Sequence, residues 1–168
     1  MKEMHHRIEL SREKKLIGIR HKMGMAENKT RELWQRFMPR RQEIRNNLTQ
    51  ELISMQLFPP SFNFMDFDPE ASFEKWAAVE VSDFDQVPQG METFILQSGL
   101  YAVFEHKGGP ATGYTTFRNI FENWLPASGY DVDNRPHFEL LGEKYRNNDP
   151  ESEEEIWIPV RIDVRSGV

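Results

Sequence analysis

A chain of 168 residues with 38% hydrophobic and 29% charged residues carries enough apolar material for one soluble globular domain. Its net charge of -6 argues against nucleic acid as the main partner, because a phosphate backbone calls for a cationic surface. Cysteine is absent, which excludes disulfides, thiolate nucleophiles and cysteine-based zinc sites.

The 12% of aromatic residues is a surplus that favours a ring-walled core or ligand pocket. No apolar run reaches the length of a membrane span. The opening residues Met1-Lys2-Glu3-Met4-His5-His6 lack the apolar core of a signal peptide, so a cytoplasmic location is expected.

Strand material runs from Arg7 to Met25, with Leu16, Ile17 and Ile19 as its apolar part and a turn at Met23-Gly24-Met25. Asn28 is a fair N-cap for a helix whose stripe is Leu33, Trp34, Phe37 and Met38. Pro39 ends the clean pattern, and the charged stretch to Gln50 has room for a short second helical piece. Glu51 to Phe58 reads as a strand closed by Pro59-Pro60, Asn63 to Ala71 as a loop, and Phe73 to Val81 as another strand. After the connector Val87-Pro88-Gln89-Gly90, Met91 to His106 is again strand material with a turn at Gln97-Ser98-Gly99. Phe117, Ile120, Phe121, Trp124 and Leu125 form a second helical stripe ended by Pro126 and Gly129. Pro136 to Tyr145 and Ile156 to Val164 are the last predicted strands.

The second half repeats the first. Ile17–Gly24 aligns with Ala102–Gly109, putting His21 on His106; Trp34–Pro39 aligns with Phe121–Pro126; and Phe73–Val79 aligns with Glu154–Val160, putting Trp76 on Trp157. The prediction is an α+β fold of one domain. Two strand-helix-strand-strand modules, about 7–85 and 91–165, are related by a pseudo-twofold, with one antiparallel sheet and two main helices. A cleft between the modules is a natural ligand site.

The stretch Glu153-Glu154-Glu155-Ile156-Trp157-Ile158-Pro159-Val160 draws chemical attention. Strand alternation puts Glu155, Trp157 and Pro159 on one face and Ile156, Ile158 and Val160 on the other. A carboxylate beside an indole is either a device for recognising a cation or a surface acid at a sheet edge. In the first case, burial among rings raises the Glu155 pKa. The raised value suits a cation's counter-charge and a general base equally well. Glu153 and Glu154 read as solvated neighbours. Trp76 and Trp157 are either core residues or cleft walls, and Tyr145 is either a cleft ring with a usable hydroxyl or a plain edge residue.

The five histidines make no metal-ligand pattern, so no metal and no cofactor are expected. Gly108–Gly113 lacks the Lys-Ser/Thr ending of a phosphate loop, and no Gly-x-Ser-x-Gly elbow is present.

Four ordered runs carry a family resemblance: Leu100–Gly108, Trp124–Tyr130, Arg135–Glu139 and Glu154–Val160, with Leu33–Arg41 in support. Together they resemble the GyrI-like family, which includes the effector-binding domains of bacterial multidrug-responsive transcription activators. The resemblance implies a duplicated strand-helix-strand-strand fold. It also implies binding of a lipophilic, cationic or polarised small molecule in an aromatic cleft with a central carboxylate. Carried over by motif, the carboxylate falls on Glu155, and the cleft rings fall on Trp76, Tyr101 or Phe104, Tyr145 and Trp157.

An upstream DNA-binding helix pair is missing from the sequence, so direct nucleic-acid binding is not expected, nor is a membrane. Two alternatives follow from stand-alone members of the family. One is hydrolysis of a strained electrophile by Glu155 with Tyr145. The other is an interaction module whose protein partner is gyrase or a regulator.

Overall fold

The computed structural model describes residues 5–66, 68–142 and 151–164. The first run of strand material is two strands, β1 (His6–Ser11) and β2 (Lys14–Gly24), parted only by Arg12 and Glu13. Helix α1 (Thr30–Phe37) begins where the Asn28 side-chain oxygen accepts the Thr30 N–H at 2.9 Å. As expected, the α-helix stops ahead of Pro39, which sits at the start of a short 3-10 turn over Met38–Glu43. Proline has no N–H to give, and the first turn of a helix needs none.

Strands β3 (Leu52–Leu57), β4 (Ser72–Val81), β5 (Glu92–Leu96) and β6 (Gly99–Lys107) follow. The second helical stripe is three pieces: α2 (Pro110–Asn119), a π turn over Ile120–Trp124 and α3 (Leu125–Ser128). Pro126 cannot donate to the Glu122 carbonyl and its ring crowds that carbonyl, which accounts for the widened turn just before it. Gly129 closes α3 at φ 80°, a left-handed cap that glycine adopts without strain. Strands β7 (Tyr130–Val132), β8 (His137–Leu141) and β9 (Glu153–Ile162) complete the chain.

All strand pairs are antiparallel, in the order β1-β6-β9-β8-β3-β4-β2-β5, with β7 added on β9. Read from either end, this order is the same pattern, which is the pseudo-twofold: β3 and β8 meet at the centre, flanked by β4 and β9. The register corrects one detail of the internal repeat. Arg20 faces Trp76 across β2 and β4, and Val103 faces Trp157 across β6 and β9. With the two tryptophans equivalent, Met23 rather than His21 occupies the place of His106. A two-residue shift leaves every side chain on its own face, so hydropathy patterning could not have detected it.

The ends of the sheet meet. β1 and β2 lie near opposite ends of the strand order yet are joined through two residues, as are β5 and β6 through Gln97 and Ser98. Such a link spans about 11 Å at most, so the sheet has to curl on itself. The enclosed face holds Leu16, Leu96, Trp76, Tyr101, Phe138 and Trp157 in one cluster drawn from both ends. On the other face, α1 covers Ile17, Ile19, Phe73 and Val79, while the α2 side covers Phe104, Ile156, Ile158 and Val160.

Candidate functional site

Glu155 and Trp157 do share a face of β9, and they touch: the indole Nε1 donates to the Glu155 carboxylate at 3.2 Å. The acid is already paired, because Arg7 donates to it at 3.0 Å while also holding Glu9 at 2.8 Å. The pseudo-twofold repeats the tryptophan–carboxylate pair, with an arginine supplied from a different strand. Trp76 Nε1 donates to Glu74 at 2.7 Å, and Arg20 reaches Glu74 at 2.9 Å and Glu92 at 2.7 Å. The tryptophan–carboxylate contact thus occurs in both modules, while its arginine comes from β1 in one and from β2 in the other.

Beside these groups lies a pocket of about 430 Å³ bordered by Arg7, Lys14, Glu51, Glu155 and Trp157. Trp157 stacks on Phe138 with centroids 5.0 Å apart, and Tyr101 meets Trp157 at 5.8 Å edge-on. The Lys14 ammonium lies 5.4 Å above the Trp157 ring and Arg7 5.6 Å from it. Tyr101 is buried, donates its hydroxyl to the Pro136 carbonyl at 2.8 Å and has Arg135 4.8 Å from its ring; burial pushes its pKa up to about 12. Phe104 points to the other face, where it meets Trp124 edge-on at 4.9 Å. Tyr145 lies outside the described residues.

The large opening is on the helix side. A groove of about 2230 Å³ runs between α1 and the β6–β9 end of the second module. Trp34, Arg31 and Met38 wall it on one flank and His106 and Lys107 on the other. Its floor is made of side chains that share the helix face of the central strands: Leu52 and Ser54 from β3, Lys75 from β4, Glu139 and Leu141 from β8, and Glu154 from β9. Glu155 lines both this groove and the smaller pocket beside Arg7 and Trp157.

Glu154, read from sequence as a solvated acid, therefore lies with Glu139 on the groove floor. Burial pushes its pKa up to about 8, and the neighbouring Glu139 adds to the shift against the opposing pull of Lys75. Strand alternation was the available signal. It puts Glu154 with Ile156 on the helix face, but three consecutive glutamates looked like one solvated run. Among the described residues, no cluster of three His, Asp or Glu has metal-binding geometry. None of the described helices is long and apolar enough to cross a membrane.

Further along the same floor, the rows of Gln56 and His137 are covered rather than open. His137 is buried, its pKa lowered to about 3 by desolvation, and its Nδ1 has no hydrogen-bond partner. Phe58 meets its ring edge-on at 4.9 Å and Phe64 stacks on it at 5.0 Å.

The model of the GyrI-like small-molecule-binding domain matches residues 4–161. The chain belongs to the GyrI-like family. It is 29% identical over 162 residues to the transcriptional regulator BrlR of Pseudomonas aeruginosa, covering 95% of this chain and 57% of that protein. The chain thus spans little more than half the length of the curated relative it matches. Its fold is similar to that of SAV2435 bound to tetraphenylphosphonium, with TM-score 0.70, 19% identity and 94% of both chains covered. A hydrolase of Listeria innocua is similar at TM-score 0.55 and 12% identity, over 93% of this chain and 91% of that one. At these identities the solved structures speak for the GyrI-like α+β fold alone.

Proposed function

We propose that the helix-side groove of this GyrI-like domain binds a lipophilic small-molecule cation, with Glu154 as its counter-charge. The observation that carries this reading is a part-buried carboxyl group on the floor of a wide groove, pushed up to about 8 by desolvation and Glu139. In the empty groove at neutral pH that group holds its proton. A cation laid against it favours the ionised form, so binding releases the proton and gains a charge-assisted contact. Trp34 offers a ring face on the flank, and cation–π contact there adds roughly 0.5–2 kcal/mol. Tetraphenylphosphonium, the ligand of the similar SAV2435 structure, is a suitable probe of this class.

The test is a calorimetric titration with tetraphenylphosphonium. Saturable binding is expected, weakened about ten-fold or more in Glu154→Gln and little changed in Glu155→Gln. Affinity is expected to rise with pH up to about 8, where Glu154 ionises without help. The reverse ranking of the two variants would move the site to the Glu155–Trp157 side, where the sequence motif pointed.

The raised Glu154 pKa also favours a second reading, in which the same carboxyl group deprotonates water against an electrophilic ligand. A reactive epoxide recovered intact after long incubation with the protein counts against hydrolysis and leaves binding untouched.

A further inference from the structure

The groove has a twin. The pseudo-twofold that carries Trp76 onto Trp157 also carries Met55 onto Phe138, the residues facing those tryptophans across the central strands. In the same register it carries the open rows of the floor onto the covered ones. Ser54 and Glu139 map onto His137 and Gln56, and Leu141 and Glu154 map onto Phe58 and Phe73. The helix repeat matches the groove's wall ring, Trp34, with Phe121. One half of a two-sided cleft is therefore open, and its counterpart is filled.

What fills it comes from the β3–β4 connection. Phe64 lies between two flat partners, stacked on Phe121 at 4.9 Å with an interplanar angle of 7° and on His137 at 5.0 Å with an angle of 26°. Phe58 and Phe62 contact its edges, each 5.0 Å away. The ring is only part-buried, and its chain neighbours Asn63, Met65 and Asp66 are exposed. Beneath it, the covered floor is polar where a permanent core would be apolar: Gln56 is 8% exposed, and His137 is 3% exposed with an orphaned Nδ1. A buried polar atom without a partner costs stability and needs a reason.

We infer that the space between Phe121 and His137 is a second, aromatic ligand subsite, occupied in the unliganded protein by the chain's own Phe64. Its ligand is a flat aromatic ring carrying a polar atom that can meet His137 Nδ1. Entry swings Phe64 out with its exposed segment, and the incoming ring takes over both stacking faces. This subsite deepens the proposed groove, because it adjoins the floor that holds Glu139 and Glu154, but its recognition is by stacking rather than by charge.

The experiment compares a neutral flat probe, N-phenyl-1-naphthylamine, with tetraphenylphosphonium in the wild-type protein, Phe64→Ala and Glu154→Gln. Emptying the subsite in Phe64→Ala is expected to tighten the neutral probe about ten-fold, the order of magnitude of two ring contacts. Glu154→Gln leaves that probe unchanged. Equal affinity of the neutral probe for wild type and Phe64→Ala overturns the subsite even if tetraphenylphosphonium binds as proposed. A gain for the neutral probe with no cation binding in any variant keeps the subsite and rejects the groove's charge recognition. If Phe64→Ala does not fold, Phe64→Leu takes its place, retaining apolar bulk without a stacking face. Loss of the folded circular-dichroism signal in both variants makes Phe64 an ordinary core residue and overturns the inference.

Discussion

Two adjacent glutamates on β9 have opposite fates because a strand sends successive side chains to opposite faces. Glu155 meets Arg7 and Trp157 on the outside of the enclosed ring cluster, and Glu154 meets the groove floor beside Glu139. The sequence supplied the alternation but not the identity of the face that would be open. The apolar set Ile156, Ile158 and Val160 marked one side as covered, and only where the helices stop short does that side become a groove containing an acid.

Glu154 leaves a signature in stability. Its folded pKa of about 8 lies above the unfolded value, so the folded state holds a proton that the unfolded chain has lost across the interval between them. Its contribution is therefore fully present below the unfolded pKa and is lost as pH rises through about 8. Glu154→Gln removes that loss. Denaturant unfolding should show the variant gaining on wild type by on the order of 2 kcal/mol between about pH 5 and pH 8.5. A difference that stays flat with pH would mean Glu154 is solvated in the native state.

At the scale of elements, the longer strands and both helical stripes were legible from periodicity and from Gly and Pro punctuation, while the three-residue β7 was not. The errors lie where one local rule met another. Pro39 does mark the end of α1, but Pro126, read as a terminator, is absorbed just past a π turn. The split of the first strand at Arg12-Glu13 has no glycine or proline to announce it.

Gly18, inside β2, is required by the close approach of the neighbouring strand. A Cβ there would lie 2.2 Å from the Ala77 carbonyl oxygen and 2.7 Å from the Ala78 Cβ, on the strand paired with it. Neither atom is the end of a flexible side chain, so Gly18→Ala has to force β2 and β4 apart. The cost expected is about 2 kcal/mol, read as a lower urea midpoint. Tetraphenylphosphonium binding should be retained at low denaturant, because Gly18 lies away from the groove floor. An unchanged midpoint would show that the two strands yield without cost.

For the whole molecule, the pseudo-twofold was legible in sequence, but its consequence was not. Aligned motifs reveal two modules without revealing that each sends its first strand to the other. β1 pairs with β6 of the second module, and β5 pairs with β2 of the first. The enclosed cluster takes Leu16 and Trp76 from one module and Tyr101 and Trp157 from the other, and the groove takes its walls from both. Neither half can close its own sheet edge or bury its own rings, and an unpaired edge with exposed aromatics favours association.

Cutting the chain in the exposed connector at Gln86 therefore tests the architecture directly. Residues 1–86 and 87–168, produced separately, should each lack a cooperative unfolding transition. Mixed in equal amounts, they should regain one and bind tetraphenylphosphonium as the intact chain does. A cooperative transition from either half alone would show that the exchanged strands are decoration on self-sufficient modules. Recovery on mixing would show that the curled sheet, rather than the module, is the folding unit, with the groove forming only when the two halves meet.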